Sequence, residues 1–189
     1  MILVANGSLL TGDPALPWLD RGGVVVDDDG LIREAGPEGK LKKAYPGARY
    51  IDARGGVIMP GFVNLHHHCY SAFARGLSMK GYRPAGFLQI LEGMWWQLDR
   101  AMTLEDVYHS AAVTFLECVR SGVTTVFDHH ASYGAIQGSL SEVSRAADRL
   151  GLRACLCYEV SDRDGEEKCT QAIEENLRFL REAARRKDD

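Results

Sequence analysis

Two rhythms of apolar and polar positions divide the chain near residue 58. Before that point the apolar runs are short and broken by turn residues. Ile2 to Ala5 and Ser8 to Thr11 flank Asn6-Gly7, a dipeptide that favours a tight type I′ hairpin. Val24-Val25-Val26 and Leu31-Ile32 flank an Asp-Asp-Gly turn, and Tyr50 to Ala53 reaches Gly55-Gly56 just before Val57. This spacing predicts a small β-sheet unit over 1–57, with Lys40-Leu41-Lys42-Lys43 as a solvated helix face.

After Pro60, strands and helices alternate. Segments 61–66, 122–127 and 152–160 are apolar on both faces, the pattern of parallel strands covered by helices, which assigns Cys155 and Cys157 to the core. Thr103-Leu104-Glu105-Asp106 resembles a capping box, and apolar positions 104, 107, 108, 111, 115 and 119 keep helical spacing until Gly122. Ser139 with Glu142 opens a second helix that stops at Gly151, and Cys169, Ile173, Leu177 and Leu180 mark a third. Residues 58–189 therefore read as about three βα units of an α/β fold.

Composition narrows the class without choosing an activity. A net charge of −4 supplies no basic field for nucleic acid or an anionic membrane, and no run approaches the length of a membrane span. Five cysteines without zinc-finger spacing argue against a disulfide framework. The start, MILVANGSLLTG, lacks a basic region before its apolar run and does not read as a signal peptide, so a cytoplasmic location is expected.

Candidate chemistry is concentrated at strand ends. The apolar run from Phe62 finishes in His66-His67-His68, and residues i and i+2 of a strand share a face, so His66 and His68 can grip one metal ion. Neutral imidazoles suit Zn²⁺ or Fe²⁺, and a catalytic metal with an open position activates water, which points to hydrolysis. His67 faces the other way, packed or solvated. His129 and His130 close the second strand beside Asp128, where they can line a substrate pocket or merely cap the strand, whereas His109 lies inside an amphipathic helix in a structural position. The connection 69–102 far exceeds a typical βα loop of about 2–6 residues. It carries Phe73, Met79, Tyr82, Phe87, Met94, Trp95 and Trp96. Trp95 and Trp96 can stack on a flat ring or plug the mouth of a barrel, and Arg75 can hold an anionic group or a structural ion pair.

The stretch PGFVNLHHHCYSAFARG resembles the first-strand signature of the amidohydrolase superfamily. Asn64, two residues before the first histidine, and Arg75-Gly76 downstream are similar to its aminohydrolase and chlorohydrolase branch, as are FLQILEGMWWQLD and TLEDVYHSAAVTFLECVRSGVTTVFD. The cyclic-amide hydrolases usually carry Asp at the position of Asn64. The resemblance runs from Met1 to about Leu180. It implies a metal-dependent TIM barrel, with residues 1–57 as part of a composite β-sandwich and 58–189 as the first part of the barrel. It also implies His66 and His68 as first-strand ligands of a divalent metal. Further histidines, an Asp and a proton-moving Glu come from later strands, so the catalytic acid and base fall outside the sequence. Eight units take about 250 residues, and 60–189 hold roughly half of that, which identifies the chain as an N-terminal portion of a longer enzyme. The last helix-like segment runs into Arg185-Arg186-Lys187-Asp188-Asp189, where the next strand should begin. The implied reaction is hydrolysis of a C–N bond in an amidine-like or amino-substituted heterocycle, a small-molecule substrate. A cyclic-amide hydrolase, or an inactive portion that needs a partner chain, is the alternative. Homo-oligomerisation stays open.

Overall fold

In the computed structural model, which describes residues 1–77 and 79–186, β1 (Ile2–Leu10) runs straight through Asn6-Gly7 where a hairpin was expected. Asn6 takes the left-handed conformation (φ 62°), donates its amide to Asp52 Oδ1 at 2.7 Å and accepts the Gly55 N–H at 2.6 Å. The register with the next strand shifts here, so the dipeptide makes a bulge rather than a reversal. Gly7 is required because a Cβ would stand 2.4 Å from the Gly56 carbonyl oxygen.

The residues fall into two compact units, Met1–Pro60 and Gly61–Asp189. In the first, β2 (Trp18–Val26) and β3 (Ile32–Pro37) form the hairpin predicted around the Asp-Asp-Gly turn. Helix α1 (Glu38–Ala44) crosses to β4 (Arg49–Asp52), and β4 and the short β5 (Val57–Ile58) pair in parallel with β1. Leu3, Ala5, Val25 and Leu41 form the core, while Lys40 and Lys42 reach outward to Glu34 and Glu38.

The second unit is a parallel sheet in the order β6 (Phe62–His67), β7 (Val123–His130), β8 (Arg153–Tyr158). This βα alternation is the architecture of the first part of a TIM-type barrel. Helices α4 (Leu104–Arg120) and α5 (Ser139–Leu150) cover one face, and α6 (Glu166–Ala183) follows β8. Thr103 makes the expected capping box with Asp106, each side chain bonded to the other residue's N–H. Val107, Ala111 and Phe115 of α4 pack with Val126, Val143, Ala146 and Ala147, whereas Leu104 and Val119 from the predicted stripe are exposed. The connection between β6 and α4 is largely helical. A 3₁₀ turn (Cys69–Ala74) is followed by α2 (Phe87–Ile90), a π-helical turn (Leu91–Trp95) and α3 (Trp96–Ala101).

Two expectations about burial are corrected. Cys155 and Cys157 are exposed, because Leu156 and Tyr158 take the helix-facing positions of β8 and no element covers its opposite face among the described residues. The apolar stripe of α6 also faces outward, with Ile173, Leu177 and Leu180 exposed and Ala172 and Glu175 buried instead. The docked side is instead the face that carries Ala172, Glu175 and Phe179: Glu175 accepts the Gly138 and Leu140 N–H groups at the start of α5 and pairs with Arg178, while Ala172 and Phe179 pack with Leu140 and Tyr158. The helix stops at Ala183, and Lys187 to Asp189 of the terminal charged run lie outside the described residues. No helix among the described residues is long and apolar enough to cross a membrane.

Gly61 admits β6 to this sheet, since a Cβ on it would lie 2.2 Å from the Thr124 methyl carbon. Gly61→Ala should therefore cost about 1–3 kcal/mol, as overpacking does. Chemical denaturation of the variant should show this loss, and adding Thr124→Ala, which removes the clashing methyl and hydroxyl, should recover part of it.

Candidate active site

The geometry begins with a miscount between two strands. Asn64 pairs with Val126 and His67 with Asp128, so Leu65 and His66 together oppose the single residue Phe127. One extra residue is a bulge, and it moves the alternation of β6 by one place. The Asn64 Oδ1 accepts the His66 N–H at 3.3 Å across the bulge. Beyond it His67 turns toward the helices, where its ring stacks on Phe115 at 5.7 Å, and His66 and His68 face the uncovered side.

On that side the Nε2 atoms of His66 and His68 converge to 3.0 Å. Two imidazole nitrogens bound to one ion at about 2.0–2.1 Å each lie close together in this way, so the pair is a suitable bidentate donor set. Orientation of His68 is settled by its other nitrogen. Nδ1 lies 2.9 Å from the His129 carbonyl oxygen, which can only accept, so Nδ1 carries the proton and Nε2 presents its lone pair. Among the described residues no third His, Cys, Asp or Glu completes a metal-type cluster with the pair.

These histidines sit in a cavity of about 470 Å³ whose walls include Leu65, Phe127, His129, Cys155 and Cys157. The volume suits a small organic molecule. Phe127 and His129 alternate along β7 on this face, and the His129 ring meets that of His68 edge to face at 5.6 Å. Three of the sequence candidates lie elsewhere. Arg75 is exposed at the end of the 3₁₀ turn. Trp95 approaches the histidines only through Tyr70, at 6.4 Å. Trp96 lies beneath the Arg163 guanidinium, which also covers Tyr133 and bonds the buried Asp99, so it serves to anchor α3. Burial pushes the Asp99 carboxyl up to about 6 against the opposing pull of Arg163.

His130 is corrected from a pocket residue to an interior one. It lies on the helix side of β7, fully buried, with Nε2 3.0 Å from Ser132 Oγ. That hydroxyl donates to the Ala135 carbonyl and so accepts from His130. Burial lowers its pKa from the usual 6.5 to about 4.

Beside it is a group that sequence reasoning missed. Asp128, fully buried, accepts from His67 Nδ1 at 2.7 Å, Cys69 N at 2.7 Å and Cys69 Sγ at 3.2 Å. Cys69, Asp128 and His130 place three metal-type donor atoms within 4.8 Å of one another. Burial, reinforced by Asp128, pushes the Cys69 thiol well up, so it stays an S–H donor. Asp128 was readable only as one polar residue before two histidines, and the only signal of its role was its place at the end of an apolar strand. Cys69 carried none beyond adjacency to His68.

Between pH 6.5 and 4 the unfolded chain takes up a proton at His130 that the folded protein refuses. The stability contributed by neutral His130 is therefore complete above that window and lost as pH falls through it, by up to about 3 kcal/mol. Urea midpoints measured from pH 7 to pH 4.5 should fall more steeply for the wild type than for His130→Gln.

The model of the amidohydrolase family matches residues 57–188. The chain is 34% identical over 183 residues to a 5′-deoxyadenosine deaminase of Methanosarcina barkeri, covering 95% of this chain and 38% of that protein. Its fold matches E. coli guanine deaminase with a TM-score of 0.76 at 20% identity, over 96% of this chain and 44% of the other. It also matches the zinc complex of the atrazine chlorohydrolase TrzN from Arthrobacter aurescens, with a TM-score of 0.67 at 24% identity, over 84% and 35%. The chain thus spans about two fifths of the length of the relatives it matches.

Proposed function

The chain belongs to the amidohydrolase family, and from that membership and the convergence of His66 and His68 we propose that it carries the first-strand ligands of a divalent-metal aminohydrolase. The substrate class is an amino-substituted, purine-like heterocycle. The net reaction replaces the exocyclic amine by oxygen, with one water consumed and one ammonia released. The observation that carries this reading is the 3.0 Å approach of the two Nε2 atoms at the wall of a cavity. The deaminase and zinc-bound chlorohydrolase relatives support it.

Held by His66 and His68, a Zn²⁺ or Fe²⁺ ion would supply an activated water near neutral pH and polarise the electrophilic carbon. His68 offers a lone pair whose direction is held by the His129 carbonyl, and His66 offers one whose position is set by the bulge at Leu65. Leu65 and Phe127 form an apolar wall against which a flat ring can lie. The His129 ring, on the same face, is placed to hydrogen-bond a ring heteroatom. The remaining ligands and the proton-transfer groups are assigned to parts of the enzyme that correspond to later strands.

In the protein expressed from its full reading frame, His66→Ala and His68→Ala should each lose most bound metal by elemental analysis and nearly all ammonia release. His67→Ala should retain a larger share of its metal and lose about 1–3 kcal/mol of stability, because it removes one of the three hydrogen-bond donors to the buried Asp128 carboxylate. Full metal occupancy in His66→Ala or His68→Ala would overturn the ligand assignment.

The substrate class is tested by metal-dependent ammonia release from adenine nucleosides, guanine and aminotriazines. Opening of cyclic amides such as hydantoins, with no ammonia from any amino-heterocycle, would replace this reading by the cyclic-amide one.

A further inference from the structure

We propose that Asp128, whose side chain is fully buried behind the cavity wall, is the positioning residue for the metal ligands of β6. This rests on the metal-site reading above and deepens it. The observation is a juxtaposition of bonds on both sides of His68. Asp128 Oδ1 receives the His67 ring at 2.7 Å and the Cys69 backbone N–H at 2.7 Å, and Oδ2 receives the Cys69 thiol at 3.2 Å. The residues before and after His68 are thus tied to one carboxylate with no solvent exposure. The next residue of β7 completes the clamp, because the His129 carbonyl holds His68 Nδ1.

The geometry explains why the clamp reaches His66 as well. Asp128 pairs in register with His67, the first residue after the bulge, and the Asn64 side chain bonds across the bulge to the His66 N–H. Leu65 and His66 are therefore pinned at both ends, by Asn64 with Val126 and by His67 with Asp128. If the His67 end is released, the extra residue can be redistributed along β6, and a slip of one place turns His66 away from His68. In this arrangement His67 is the link between the carboxylate and the ligands, which accounts for a third histidine between two that point elsewhere.

Other buried polar groups do not have this reach. Glu175 is equally buried, yet its bonds go to the start of α5 and to Arg178. It therefore serves as the matched control: its loss should destabilise the unit and leave the cavity untouched.

The experiment uses the protein expressed from its full reading frame, stripped of metal and titrated with Zn²⁺ and with Co²⁺, whose visible absorption reports ligand geometry. Asp128→Asn keeps the size of the side chain, removes its charge and replaces one of its two acceptor oxygens by an N–H donor. It should weaken Zn²⁺ affinity by about 10–100-fold, as loss of an outer hydrogen-bond partner does, and should shift the Co²⁺ spectrum. His67→Phe, which keeps the ring stacked on Phe115 but breaks the link, should reproduce both changes. Glu175→Gln should lower the melting temperature with wild-type affinity and an unaltered spectrum. Equal losses of affinity in Asp128→Asn and Glu175→Gln would reduce Asp128 to general stability and overturn the proposal. So would wild-type affinity and spectrum in Asp128→Asn. A second equivalent of Zn²⁺ that disappears in Cys69→Ser would overturn it differently, by making Cys69, Asp128 and His130 a metal site. A wild-type protein that binds no divalent metal would remove the underlying reading, which distinguishes that failure from failure of the clamp alone.

Discussion

One extra residue in β6, opposite Phe127, decides where every side chain at that strand end points. Strand alternation is rigid, so a single bulge changes the facing of everything beyond it. Leu65 and His66 both serve the cavity side, His67 goes to the helices and His68 returns. Three consecutive histidines can then do two jobs, two converging on a point and one bonded into the interior. Asn64 matters here as a local backbone partner, holding the His66 N–H while the register changes. Its distance from the histidine is a property of the bulge it bridges.

The interior behind the cavity is polar where a barrel's helix layer is ordinarily apolar. Asp128, His130, Ser132 and Cys69 lie among Val126, Phe115 and Tyr158, and the described residues contain no buried side-chain polar atom without a partner. Such a network is costly if any member is lost, because an unpaired buried donor or acceptor forfeits its solvation without compensation. The same cost gives it directional rigidity. His130 is held neutral by burial and bonded through Ser132 to the loop after β7, and Tyr158 accepts the Ser132 N–H from β8. The network thereby joins the ends of all three strands behind the cavity wall.

The alternation of strands and helices after Pro60, the capping box at Thr103 and the stop at Gly151 were legible because they depend on local chemistry: periodicity, a hydroxyl with an acidic partner three residues on, and a residue free to take positive φ. The pairing of His66 with His68 was legible for the same reason, though the bulge that precedes it was not. Facing was the property that misled. An apolar strand reads alike whether its far side meets a core or bounds a cavity, so Cys155 and Cys157 were assigned to the interior. His129 and His130 stayed open between pocket and strand cap because histidines at strand ends do not announce their parity. Asn6-Gly7 carried the chemistry of a tight turn, but Asp52 and Gly55, distant in sequence, recruited it for a bulge.

The two faces of the sheet are consequently not independent. A substitution that enlarges the cavity at Leu65 or Phe127 acts on residues that oppose each other across the bulge, and any change in their backbone is passed to His67 and from there to Asp128. Cys155 differs from them. It stands on β8, one strand removed from the bulge, and pairs with Phe127 in regular register. Variation at Cys155 can therefore change the cavity wall at little expense to the direction of the two imidazoles. Cys157 does not share this freedom, because it pairs with His129, whose carbonyl holds His68, and its thiol donates to the Asp128 carbonyl at 3.7 Å. Pocket shape and imidazole direction are thus separable at Cys155 and coupled along β6 and β7.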